Sequence, residues 1–133
     1  MEAGTPSPNS VHEPSPCVLI IFRRPPFGSV MAVEGLRMAE ALLAFQVPLK
    51  VVFSEDGVLC LLKGQGKGAL EMGDIGKAFA GLASMGLPQL MVVKEDLEGR
   101  KLCAGDLVEA PLMMINTCDL RRLIGETKLV IPF

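Results

Sequence analysis

The chain has no tryptophan and no tyrosine, and His12 is its only histidine. Without tryptophan and tyrosine, it lacks the aromatic side chains that stack best on nucleic-acid bases. Its 13 basic and 15 acidic residues give a formal net charge of -2, so no positive excess attracts nucleic acid or an anionic membrane. We therefore predict a protein that does not bind nucleic acid.

A single histidine excludes a metal site built from several histidines and disfavours histidine-based acid–base catalysis. The cysteines, Cys17, Cys60, Cys103 and Cys118, show neither C-x-x-C nor another metal-ligand spacing. We predict reduced thiols, no metal site and no cofactor. Cys17 and Cys60 lie within apolar runs and are expected to be inert packing residues.

Long hydrophobic runs are also missing, although half of the residues are hydrophobic. The longest runs span a handful of residues, whereas a membrane-spanning helix needs roughly 20. The N-terminus lacks the basic and apolar regions of a signal peptide. We expect a cytoplasmic protein with no membrane partner, and a chain of 133 residues is long enough for one domain with its own core.

Residues 1–16 contain four prolines and three serines but almost no large apolar side chain. This composition cannot bury enough apolar surface to offset the entropy lost on ordering. We predict a disordered Pro/Ser-rich tail, with His12 solvated in it, followed by a single domain over residues 17–133.

Five apolar runs of strand length alternate with helix-forming segments in this domain; the runs are residues 17–22, 50–53, 89–93, 112–115 and 128–131. Nearly continuous apolar runs are typical of strands buried on both faces of a parallel sheet. The alternation with helices predicts an α/β fold, a three-layer α/β/α sandwich around a five-stranded, largely parallel sheet. We expect the first run to be the central strand.

The longest predicted helix covers residues 30–45, with Ser29 as its N-cap. Most of its circumference is apolar, which is more than contact with one sheet requires. Two interpretations stay open: the helix is well buried within a small domain, or part of it lies at a subunit interface.

Polar side chains follow the predicted strands at their carboxyl ends, where open α/β sheets place their sites. Glu55 and Asp56 follow the second strand, where Gly57 is expected to take a positive φ. Lys94, Glu95 and Asp96 follow the third strand, ahead of a short helix or irregular crossover over residues 97–106. Because clustered like charges can raise a carboxyl pKa, a carboxylate-based catalytic cleft is a further hypothesis.

A second polar group consists of Arg23 and Arg24, which follow the first strand near Ser29. Two guanidinium groups beside a helix N-terminus are suited to a small anion such as phosphate or sulfate. The favoured alternative is that the arginines are solvated or pair with Glu55 and Asp56.

The glycine-rich stretch 64–69 formally matches G-x-G-x-x-A, a pattern found in dinucleotide sites. A dinucleotide site places this pattern between a strand and a helix, whereas here it follows a predicted helix. A linker is the default interpretation, and nucleotide binding is the least favoured function.

Five short motifs together resemble the DsrE/DsrF/TusC-like family, most closely its TusC/DsrF branch; they are residues 56–58, 61–65, 108–110, 120–122 and 129–133. The resemblance covers almost all of residues 17–133. It implies a five-stranded α/β/α fold, assembly into trimers or hexamers, and involvement in intracellular sulfur trafficking. It also implies that one subunit of such an assembly carries a persulfide on a cysteine at the end of the third strand.

This chain has no cysteine at the matching position, which is Val92 or Val93. We therefore expect a homo-oligomer, or a hetero-oligomer with related subunits, that supports assembly or binds a sulfur-carrier protein without carrying the persulfide itself. The alternative is active persulfide transfer through Cys103 or Cys118. For each of these two thiols, the more cautious interpretation is a small, partly buried packing residue, and it is favoured over catalysis. Cys118 lies in the first turn of a predicted helix, where the macrodipole favours thiolate, although Asp119 opposes it.

Overall fold

The computed structural model describes residues 15–65 and 74–133. Its strands are β1 (Ser15–Phe22), β2 (Leu49–Phe53), β3 (Leu90–Val93), β4 (Leu112–Ile115) and β5 (Thr127–Pro132). They form one parallel sheet in the order β4-β3-β2-β1-β5, so the predicted five-stranded parallel sheet is confirmed. The central strand is β2 rather than β1, because β5 returns to pair with the outer side of β1.

Helices connect the strands: α1 (Met31–Ala44), α2 (Ile75–Ala80), α3 (Lys94–Gly99), α4 (Thr117–Glu126), and 3-10 helices at Glu55–Leu61, Gly81–Met85 and Ala104–Asp106. Within the described ranges, no helix is long and apolar enough to cross a membrane. Most of the predicted tail, residues 1–14, lies outside the described residues. Helix α1 begins one residue later than predicted, because Val30 is its N-cap and Ser29 Oγ accepts a 3.3 Å hydrogen bond from the Met31 amide.

The order of the strands gives the sheet two unequal faces. Strands β1 to β4 follow one another in one direction, so right-handed crossovers put α1 and α2 on one face, called the α1 face. The connection from β4 to β5 runs back across the sheet and puts α4 on the opposite face, called the α4 face. Ile20, Phe53 and Val92 pack on the α1 face, whereas Ile21 and Val93 pack on the α4 face.

The core of the α1 face is built around phenylalanine rings. Phe22 stacks on Phe53 with ring centroids 5.1 Å apart, and Phe79 meets Phe22 edge-on at 4.8 Å. Gly35 of α1 lies against the rings of Phe22 and Phe133, where a Cβ atom would collide with them. The absence of a side chain at Gly35 therefore allows α1 to pack closely against the sheet.

The turn after β2 differs from the prediction. Glu55 takes the positive φ, at 52°, and the 3-10 helix begins there. Gly57 has no positive φ; instead, a Cβ atom at this position would collide with the carbonyl oxygen of Phe22. The glycine is therefore required by close packing rather than by turn conformation.

Candidate functional site

Two side chains, one in the first turn of α3 and one at its C-cap, bind the turn that follows β2. Asp96 Oδ2 accepts a 2.7 Å hydrogen bond from the Glu55 amide. Arg100 donates to Asp56 Oδ1 from Nε at 3.1 Å and from a terminal nitrogen at 2.8 Å. Helix α3 starts at Lys94, so this predicted strand-end residue belongs to a helix, and its side chain is exposed.

The side chain of Glu95 connects α3 to the start of α4. Both of its carboxylate oxygens lie 3.2 Å from the Thr117 amide. Asn116 and Asp119 form a reciprocal capping box, with a 2.7 Å bond from the Asp119 amide to Asn116 Oδ1 and a 3.1 Å bond from the Asn116 amide to Asp119 Oδ2. The backbone amides at the start of α4 therefore donate to two carboxylates of the same chain, those of Glu95 and Asp119.

The carboxylates are not arranged as an acid–base pair. Hydrogen bonds from its own amide and from the Thr117 amide lower the pKa of Glu95. The expectation of a raised carboxyl pKa is therefore wrong at Glu95. Asp56 faces the guanidinium group of Arg100 rather than another carboxylate, so the cleft hypothesis loses the like-charge contact on which it depended.

Arg23 and Arg24 are exposed after β1, and neither guanidinium group forms a hydrogen bond or ion pair with another described residue. Of the two alternatives in the favoured interpretation, solvated arginines agree with this exposure, whereas the carboxylate of Asp56 pairs with Arg100 instead. Ser29 Oγ is engaged with the amide of Met31. Binding of an anion by these residues stays a prediction.

The four cysteines fall into two classes, buried and exposed. Cys17 and Cys60 are buried, as predicted, and burial raises the pKa of Cys60 to about 12. Cys103 and Cys118 are exposed, so neither is the partly buried packing residue that the cautious interpretation supposed.

The structure does not bring the two exposed thiols together. The amide and Sγ of Cys103 donate to Asp106 Oδ2 at 2.9 and 3.4 Å, in a segment that continues into the core of the α1 face. These hydrogen bonds lower the pKa of Asp106. Cys118 lies in the first turn of α4, on the opposite face of the sheet. Each thiol therefore belongs to a different surface.

The two positions that match the family cysteine are both closed. Val92 is 0% exposed and points to the α1 face, whereas Val93 is 1% exposed and points to the α4 face. Strand β3 ends at Val93, and α3 follows without a loop. The end of the third strand is therefore covered by the helix that begins there.

Sequence reasoning missed Arg100 and Thr117 as partners of the predicted strand-end residues, and it placed Asp96 among the clustered carboxylates rather than as the acceptor of the Glu55 amide. The i, i+4 spacing of Asp96 and Arg100 was the available signal, but the helix was predicted only from residue 97. The glycine-rich nucleotide candidate lies mostly in residues 66–73, outside the described ranges. In the part of the chain that the structure describes, no group of three or more His, Cys, Asp or Glu side chains could hold a metal ion.

A parallel five-stranded sheet that returns its last strand to β1, with helices on both faces, defines a small three-layer α/β/α domain. The chain belongs to the DsrE/DsrF-like family, whose sequence model matches residues 17–133.

Two relatives match at the level of sequence. The intracellular sulfur oxidation protein DsrF of Allochromatium vinosum is 31% identical over 91 residues, which are 68% of this chain and 67% of the relative. A TusC homolog of Pseudomonas aeruginosa is 33% identical over 88 residues, or 66% and 74% of the two chains.

Two solved structures share the fold. The ychN protein of E. coli has a TM-score of 0.77 at 22% identity, covering 90% of this chain and 100% of its own. A protein of unknown function from Methanobacterium thermoautotrophicum has a TM-score of 0.66 at 12% identity, with the same coverage. They confirm the predicted α/β architecture.

Proposed function

We propose that this chain is a subunit of an intracellular sulfur-relay assembly that supports the assembly or binds a sulfur-carrier protein, without itself carrying a persulfide. Membership of the family and the two relatives support the sulfur-relay part. The buried valines at the end of β3 support the second part, and they are the observation that carries the proposal.

Sulfur transfer requires a thiolate that donor and acceptor can both reach, because the sulfur passes through direct attack of one sulfur atom on another. Val92 and Val93 provide neither a thiol nor access. The side chains of Asp96 and Arg100 bind α3 to the turn after β2 and so hold this end of β3 covered. The family position in this chain has the properties of core, not of an active site.

The test is the intact mass of the reduced protein after incubation with glutathione persulfide and removal of the excess donor. We expect no stable gain of sulfur and four unmodified thiols. A stable gain of one sulfur atom by the wild-type protein would contradict the proposal.

The exposure of Cys103 and Cys118 favours a second candidate function, persulfide transfer through one of them. The thiolate attacks the terminal sulfur of the donor persulfide; a new S–S bond forms, the donor S–S bond breaks, and the donor leaves as a thiolate with no net oxidation. Cys103→Ser and Cys118→Ser are matched controls for each other, because both thiols are exposed and lie on opposite faces. A gain of sulfur that disappears in only one variant would identify the carrier.

A further inference from the structure

A cavity opens on the α4 face of the sheet, beside helix α4. In the described ranges, α4 is the one helix whose side chains pack against the core of this face, through Leu120 and Leu123. It contacts β1 and β5, so the amino-terminal parts of β2, β3 and β4 are left without a helix above them on this side. The space has a volume of about 940 Å³ and is called here the α4 cavity. Small-molecule sites have volumes of roughly 300–1,000 Å³, so this cavity is large enough for one.

The floor of the α4 cavity changes from polar to apolar along the strands. Val52 of β2 pairs with Met91 of β3, and the same register two residues earlier sets Lys50 beside Gln89. Met91 pairs in turn with Met113 of β4. All but Val52 line the cavity. An ammonium group and an amide therefore lie next to each other at the amino-terminal end of the floor, and two thioether side chains follow towards the carboxyl end.

The apolar part of the cavity is more enclosed than the polar part. Met91 and Ile115 are each 5% exposed, and both pack in the core of the α4 face with Leu123 of the helix above them. Lys50 and Gln89 are exposed. An amphipathic molecule bound here would therefore place its head group at the open end and its apolar part between the sheet and α4, where flexible methionine side chains can adapt to its shape.

The charges of the lining determine the sign of the head group. Arg122 on α4 is paired with Asp119 at 3.6 Å, whereas Lys50 forms no ion pair with any described residue. Burial raises the pKa of the Cys17 thiol, and the positive charge of Lys50 opposes this rise, so the ammonium group lies close enough to interact with this cavity-lining residue. Glu126, the remaining charged residue of the lining, belongs to the end of α4. The floor itself thus carries a positive charge and no carboxylate.

We propose that the α4 cavity binds an amphipathic monoanion of the fatty-acid class, with its carboxylate on Lys50 and Gln89 and its alkyl chain over Met91 and Met113. Neighbouring strands lie about 4.8 Å apart, so the ammonium and amide groups can each donate to one carboxylate oxygen. The site uses neither the end of β3 nor an exposed thiol, so it is independent of the proposed sulfur-relay function.

The experiment is equilibrium dialysis of the full-length protein against radiolabelled decanoate below its micelle concentration. We expect one decanoate to bind per chain. Each buried methylene group tightens binding about fourfold, so displacement by hexanoate should require at least about a tenfold higher concentration than displacement by unlabelled decanoate. Decyltrimethylammonium has the same chain with a positive head group and should be the weaker competitor, because Lys50 repels it.

Two variants separate the head-group contact from the chain contact. Lys50→Met keeps the length of the side chain but removes its charge, and it should weaken decanoate binding by about tenfold or more. Met113→Gln makes the apolar floor polar and should weaken binding several-fold. The matched controls are Lys94→Met, on the exposed start of α3, and Met114→Gln, on the next residue of β4 and the opposite face of the sheet. Both lie outside the cavity lining and should keep the wild-type affinity.

Absence of decanoate binding to the wild-type protein would overturn the proposal, as would stronger competition by decyltrimethylammonium. Equal losses in Lys50→Met and Lys94→Met, or in Met113→Gln and Met114→Gln, would show that decanoate binds the surface at large and would also overturn it. Circular dichroism of each variant verifies that the fold is intact. The persulfide assay measures a different property, so its result leaves this ligand site unaffected.

Discussion

The amide nitrogen of Glu55 lies 2.7 Å from Oδ2 of Asp96, a residue 41 positions further along the chain. Glu55 has a φ of 52°, which is unfavourable for a residue with a side chain. The bond therefore fixes a strained turn at the end of β2 against the first turn of α3. Such strain is kept only where surrounding contacts hold it.

The strain at Glu55 leads to a prediction about stability. Glu55→Gly should leave the free energy of unfolding unchanged or raise it by up to about 1 kcal/mol, because glycine adopts positive φ without the Cβ clash. The bond to Asp96 uses the backbone amide and is retained. Urea denaturation followed by circular dichroism measures the change.

Glu98→Gly is the matched control, since Glu98 is an exposed residue within α3. There the same substitution should lower the free energy of unfolding by about 1 kcal/mol. Equal losses at both positions would show that the φ of Glu55 is not a source of strain.

Gly57→Ala should be strongly destabilising, by about 3 kcal/mol or more, because the new Cβ atom collides with the backbone carbonyl of Phe22. The carbonyl of Phe22, the last residue of β1, accepts a 2.9 Å hydrogen bond from the Ser54 amide, so it cannot move aside as a flexible side chain can. The control is Gly99→Ala, where nothing lies within 4 Å of the added atom. Unfolding in urea should separate the two variants, and similar stabilities would contradict the predicted collision.

The thiols should divide into two classes under alkylation. At pH 8, Cys103 and Cys118 are expected to react quickly with N-ethylmaleimide because they are exposed, whereas Cys60 stays unmodified. Burial raises the pKa of Cys60 to about 12, so almost no thiolate is present at that pH. Peptide mass mapping after a short pulse checks the pattern, and unfolding in urea should make all four cysteines reactive. Rapid native labelling of Cys60 would be inconsistent with this core.

A cysteine placed at the family position should also be unreactive. In the Cys103→Ser/Cys118→Ser background, Val93→Cys is expected to resist alkylation in the folded protein, because Val93 is 1% exposed. Arg100→Met in the same background removes the ion pair with Asp56 and should increase the labelling rate several-fold. If the thiol at position 93 reacts as fast as Cys118 does in the wild-type protein, the end of β3 is open in solution.

Stability should depend on the ionisation of Glu95. Hydrogen bonds from backbone amides lower its pKa in the folded state, so its contribution is present above the unfolded pKa of about 4.3 and is lost as pH falls through the folded value. Glu95→Gln should be less stable than the wild-type protein at pH 7, and the difference should shrink below about pH 4.3. Urea titrations between pH 3 and pH 7 measure it, with Glu98→Gln from the same helix as control. A difference that is constant with pH would exclude this role of the carboxylate.

Much of the fold could be predicted because its signals are local. The run at 17–22 is apolar at every position and lies within β1, which begins two residues earlier at Ser15, and the run at 112–115 coincides with β4. The helix predicted over 30–45 differs from α1 by one residue at each end. In each case the neighbours in sequence carry the pattern that the sheet or the core requires.

The candidate site was less predictable because its contacts join distant segments. Asp56 meets Arg100 across 44 positions, and Glu95 meets the Thr117 amide across 22 positions. No local pattern indicates which acid will find which base, so Arg23 was a plausible partner of Asp56 until the position of α3 was known. The exposure of Cys103 and Cys118 could not be predicted for the same reason, because it depends on which distant segments pack beside them.

The amino-acid sequence by itself determined the class of fold, the family, and the absence of a cysteine at the end of β3. These follow from residue identity and from apolar periodicity, which are the same in any conformation. Only the tertiary structure decided that β5 lies beside β1, that α3 closes the end of β3, and that Cys103 and Cys118 are exposed on different faces of the sheet. Those features depend on the direction of each crossover and on which side chains reach one another, and both are settled only when the whole chain packs.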